Sequence, residues 1–135
     1  MTEELYRDAF GSLLHDSGRG ILELGWFEGT GDMTDDEFMG WLERYAEAAE
    51  QHQTPHLLVD LTHFRGRPGE KTGPWRDENI VPRYNGAGVR KFAYLVPAGS
   101  PGTVAAGSAP APEPTANFPT GYFDSREQAE AWLTE

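Results

Sequence analysis

Leu57, Leu58, Val59 and Leu61 make the run from His56 to Leu61 apolar without polar alternation. So short and uniform a run reads as a strand covered on both faces, the kind that lies inside an α/β sheet. Asp60 closes it, and Thr62-His63-Phe64-Arg65-Gly66 carries the chain out of the core. In an open α/β sheet that carboxyl-edge exit is where binding sites gather.

The flanking sequence supports a βαβ unit. Ile21-Leu22-Glu23-Leu24-Gly25-Trp26 places Leu22, Leu24 and Trp26 on one face of a strand. Residues 3 to 15, with Leu5, Tyr6, Phe10, Leu13 and Leu14, read as a modest strand before it, and the turn formers Asp16 to Gly20 join the two as an antiparallel hairpin. Thr34-Asp35-Asp36-Glu37 is a capping box, and Phe38, Trp41, Leu42, Tyr45, Ala48 and Ala49 follow at helical spacing, predicting a helix over about 34 to 52. A helix between Trp26 and His56 implies that the two strands run parallel with a right-handed crossover.

Beyond a polar loop from His63 to Gly73, Pro74-Trp75 can open a second helix with Trp75, Ile80, Val81 and Tyr84 facing inward. Pro82 predicts that it is kinked or in two pieces, ending near Gly86 to Gly88. Lys91 to Val96 reads as a third core strand. Pro97 to Asn117 is almost wholly Pro, Ala, Gly, Ser and Thr with one charge, Glu113, and so reads as a mobile loop. Phe118 to Phe123 reads as an aromatic edge strand. Asp124-Ser125-Arg126-Glu127 reads as a second capping box with Asp124 as N-cap, opening a last helix that buries Ala129, Trp132 and Leu133.

With 135 residues and a net charge of −11, the chain has the size of one domain, and no cysteine supplies a disulfide, a thiolate metal site or a nucleophile. Such acidity argues against nucleic-acid binding and against attraction to anionic membranes. No run is long enough to span a bilayer and the amino terminus is acidic, so a soluble, cytoplasmic protein is expected.

Several segments together resemble the SpoIIAA-like branch of the STAS superfamily. They are Ile21 to Leu24 before a threonine-capped helix, Leu57 to Leu61, Lys91 to Val96, and Tyr122-Phe123-Asp124-Ser125-Arg126-Glu127-Gln128-Ala129-Glu130-Ala131-Trp132-Leu133. The resemblance implies a mixed α/β sheet of about four to five strands, an antiparallel hairpin beside a parallel core. It implies three to four helices mainly on one face, related to anti-sigma-factor antagonists and, in fold, to CRAL-TRIO domains. It also implies a mostly non-enzymatic protein. The antagonists carry a phosphorylatable serine after the central strand, where this chain has Asp60-Leu61-Thr62-His63 and no serine.

Parallel core strands would bring the segments after Trp26, Leu61 and Val96 to one edge, the natural place for a site. Trp26, Asp60, Thr62, His63, Arg65, Arg67 and Trp75 are the candidates for holding a ligand or partner. Arginine forks and glycine-flanked amides from His63 to Lys71 suit an anion or an acidic loop, or else pair with Glu70, Asp77 and Glu78. Trp26, Phe64, Trp75 and Tyr94 suit an amphipathic, lipid-like molecule. Asp60, Thr62 and His63 are an acid, a hydroxyl and an imidazole, but neighbours on a strand point to opposite faces. No nucleophile elbow, phosphate loop or zinc motif occurs, and the four histidines lack metal-ligand spacing. No enzyme and no cofactor is expected. The readings are a protein-interaction domain, a small-ligand binder, and a self-associating protein or homodimer. A solvent-reachable cavity beyond Leu61 would favour the second; aromatic side chains filling that place would favour the first.

Overall fold

In the computed structural model, which describes residues 2–135, the His56 to Leu61 segment lies at the centre of a seven-stranded mixed sheet. The strands are β1 (Thr2–Arg7), β2 (Gly11–Asp16), β3 (Ile21–Trp26), β4 (His56–Asp60), β5 (Lys91–Leu95), β6 (Ala111–Pro112) and β7 (Pro119–Phe123), in the spatial order β1-β2-β3-β4-β5-β7-β6. β1, β2 and β3 pair antiparallel; β3, β4, β5 and β7 pair parallel; β6 closes the far edge antiparallel to β7.

The sheet is wider than the four to five strands expected. Residues 3 to 15 form two strands, because the Asp8 carboxylate accepts from the amides of Phe10 (2.8 Å) and Gly11 (3.3 Å) and turns the chain back. β7 is not the outermost strand either, since the two residues of β6 cover it. The β2–β3 turn does fall at Asp16 to Gly20, where Gly20 takes φ +67° and the Asp16 carboxylate accepts from the amides of Gly18 and Arg19.

Helix α1 (Asp35–His52) starts at the capping box read from the sequence: the Thr34 hydroxyl accepts from the Glu37 amide at 3.1 Å, and the Glu37 carboxylate accepts from the Thr34 amide at 2.9 Å. The second helical region is in two pieces, α2 (Thr72–Asn79) and α3 (Val81–Gly86), with Pro82 in the first turn of α3 where its missing N–H costs nothing. These three helices cover one face. Trp41, Leu42 and Tyr45 of α1 and Val81 and Tyr84 of α3 pack there against Leu22, Leu24, Leu57, Val59 and Phe92. Helix α4 (Arg126–Leu133) covers the other face with Ala129 and Leu133 against Ile21, Leu58, Ala93, Leu95 and Phe123. β4 is therefore buried on both sides, as its uniform apolarity requires.

The cap of α4 is one residue later than expected. Ser125, extended at φ −137°, ψ 124°, accepts from the Gln128 amide, whereas the Asp124 carboxylate accepts from the Gly99 amide. The Pro/Ala loop is tied down by polar contacts: Val104 N–H donates to Tyr122 O, the Thr115 hydroxyl to Asp77 O, and Asn117 N–H to the Asn85 side chain. Among the described residues no helix is long and apolar enough to cross a membrane.

Candidate functional site

The parallel register sets Leu24, Val59, Tyr94 and Tyr122 side by side across β3, β4, β5 and β7. Because strand side chains alternate, all four point to the face of α1, α2 and α3. They form the floor of a cavity of about 290 Å³ near the carboxyl ends of the strands. Phe38, Leu42 and Tyr45 of α1 wall one side, Arg76 of α2 and Tyr84 of α3 another, and Phe64 and Pro68 the loop side. It opens to solvent beside Pro68 and Tyr122, both exposed.

Aromatic contacts set its shape. Trp26 packs on Phe38, Trp41 and Phe64 at ring separations of 5.4–5.7 Å, and Tyr122 stacks on Tyr94 at 5.0 Å. The Phe64 ring folds over Gly66, where a Cβ would lie 2.6 Å from it. That loop is pinned to the Glu28–Asp32 3₁₀ turn by buried Thr30, whose hydroxyl accepts from the Arg65 amide at 2.8 Å and donates to Phe27 O at 2.7 Å. The Asp35 carboxylate holds the Gly69 amide at 3.0 Å.

The polar groups of the cavity are few and largely buried. Arg76 Nη1 donates to Glu113 Oε2 at 3.2 Å, and its guanidinium lies 5.5 Å from the centre of the Phe92 ring. Burial by itself would weaken the guanidinium as a base, but Tyr94, Tyr84 and Glu113 facing it outweigh that and keep it charged. The Glu113 carboxylate also accepts from the Thr120 hydroxyl at 3.1 Å. Burial pushes the phenols of Tyr84 and Tyr94 above the ordinary tyrosine range, with Arg76 pulling the other way, so both keep their protons. The Tyr45 hydroxyl donates to Leu22 O and Leu58 O, but the buried Tyr84 hydroxyl has no hydrogen-bond partner among the described residues.

The expected residues divide between the two faces of the sheet and the rim. Trp26 is 3% exposed and lines the cavity. Asp60 points to the α4 face, accepting from the Thr62 amide (2.9 Å) and hydroxyl (2.6 Å) and from Arg126 (3.1 Å). Thr62 is therefore engaged within its own turn. His63, Arg65 and Arg67 are exposed, and Arg65 pairs with Glu28 at 2.9 Å rather than with the acids downstream. Trp75 packs half-buried against the main core, and the next residue, Arg76, reaches the cavity in its stead.

Arg76, Glu113 and Tyr84 join the site beyond the candidates that the sequence singles out. Thr72, Arg76 and Ile80 lie four apart on one helical stripe whose ends are buried, which is a signal for Arg76. Glu113 is the lone charge of its loop, and a lone charge in an uncharged segment asks for a partner. A larger groove of about 550 Å³ runs between β1, β2 and α1, but its walls carry the charged side chains of Glu43, Arg44, Glu47 and Arg83. Among the described residues the other unpartnered buried side-chain atoms, Thr54 Oγ1 and His56 Nδ1, lie at the amino end of β4.

A parallel-cored mixed sheet fed by an antiparallel hairpin, with its cavity near the carboxyl ends of the strands, is an α/β domain of the STAS type. The SpoIIAA-like family model matches residues 24–134, and the chain belongs to that family. No curated protein and no solved structure gives a significant match.

Proposed function

We propose that the chain is a non-enzymatic regulatory domain that binds a small amphipathic molecule in the cavity near the carboxyl edge of its sheet. One observation carries this reading: the place beyond Val59 and Leu61 is a solvent-reachable, aromatic-lined space of about 290 Å³ rather than a filled core. Asp60, Thr62 and His63 do not assemble as a nucleophilic set, since Asp60 faces α4 and His63 faces solvent. Native mass spectrometry of protein purified without added ligand is expected to show a reproducible extra mass, lost in Leu61→Trp, which fills the space. A chain that flies bare, and whose melting temperature no apolar probe raises, sinks the reading.

Family membership and the exposed His63, Arg65 and Arg67 support a second role for the same rim, as a docking edge for a protein partner. In that role occupancy of the cavity sets the shape of the loop the partner meets. Alanine at Arg65 and Arg67 is expected to weaken partner capture while leaving the adduct mass in place.

A further inference from the structure

The cavity has more donors than acceptors. Arg76 has five N–H groups and the structure engages one of them, through Glu113. Tyr84 is 1% exposed, and its buried hydroxyl has no hydrogen-bond partner among the described residues. The one carboxylate nearby is committed at both oxygens, to Arg76 and to Thr120. A buried donor left unmatched is costly, and a bound molecule that brings an acceptor oxygen to the Tyr84 hydroxyl relieves that cost.

The charge is already balanced, because Glu113 neutralises Arg76. A second anion there would face Glu113 at short range in a chain of net charge −11. At about 290 Å³ the space also sits at the bottom of the range for ligand pockets, too small for a two-chain lipid. Its walls are aromatic, which suits a planar ring.

We infer that the cavity takes a compact, uncharged ring compound bearing a carbonyl oxygen, which accepts from the Tyr84 hydroxyl. This rests on the cavity reading above and adds the chemistry of the occupant. Three probes of similar shape test it by amide chemical-shift titration of the full chain: 1-tetralone, tetralin without the carbonyl, and 1-naphthoate with a carboxylate. Wild type is expected to bind 1-tetralone roughly tenfold more tightly than tetralin, the scale of a buried hydrogen bond. Tyr84→Phe, which loses no hydrogen bond among the described residues and is expected to fold, is expected to bring 1-tetralone close to tetralin. Equal affinities in wild type, an advantage that survives Tyr84→Phe, or tighter binding of naphthoate than of 1-tetralone overturns the inference. If tetralin and 1-tetralone both fail to bind, the cavity reading falls as well, whereas tetralin binding alone preserves that reading and rejects the carbonyl.

Discussion

Burial holds the imidazoles of His15 and His56 below the ordinary histidine range. His52, its ring tilted against that of His15 with centres 4.4 Å apart, adds to the effect against the pull of Glu3 and Asp16; Lys91 and Arg90 add to it at His56 against the backbone of Arg19. The unfolded histidines take up protons near pH 6.5, and the folded ones resist until lower pH. Between those two points the unfolded state binds more protons, so stability falls as pH drops from about 6.5. The lowered carboxyls, Asp16 held by Arg19 and Glu50 by Arg83, act at more acid pH. The urea midpoint is therefore expected to fall between pH 7.5 and 5.5, and to fall less steeply in a His15→Gln, His56→Gln double variant; equal slopes would refute the assignment. Tyr84 supplies a second residue-level test. Removing an unpartnered buried hydroxyl as Tyr84→Phe is expected to stabilise the ligand-free protein by about 1 kcal/mol in urea denaturation.

Among the elements, caps make the clearest predictions. Thr34→Ala removes one half of the α1 capping box and is expected to cost about 1 kcal/mol in urea denaturation. At α4 the structure and the sequence pattern disagree, and two variants separate them. Ser125→Ala is expected to cost about 1 kcal/mol, and Asp124→Ala less than half of that, because serine is the residue that meets the helix amide. The pattern placed α1, β3, β4, β5 and the broken second helix well, since spacing of apolar residues, caps and prolines are local properties. It merged β1 with β2 because the turn between them depends on one aspartate side chain folding back on two amides. β6 was illegible because two residues carry no periodicity. The sequence pattern put the cap of α4 one residue early, at Asp124, because Asp and Ser are both good N-caps and only the backbone angles decide between them.

For the whole molecule the net charge of −11 sets a background of self-repulsion. Its ion pairs are mostly exposed; Arg126, which bridges α4 to Glu23 and Asp60, is itself 42% exposed, so salt removes little stability by screening such pairs. Raising NaCl from 20 to 500 mM is expected to raise the melting temperature by a few degrees as repulsion is screened, and a fall would mean that the pairs outweigh it. The sequence by itself was sufficient for the α/β class, the doubly buried β4, the capped helix before it and the family likeness, because each rests on patterns within one segment. It also indicated that Trp26 and the β4 exit share an edge, once the core strands were taken as parallel. Only the tertiary structure decided what stands at that edge. Strand alternation turned Asp60 toward α4, helix placement brought Arg76 in rather than Trp75, and a loop 37 residues away supplied Glu113 to balance it. Those choices depend on which segments meet across the fold, and no local spacing records that.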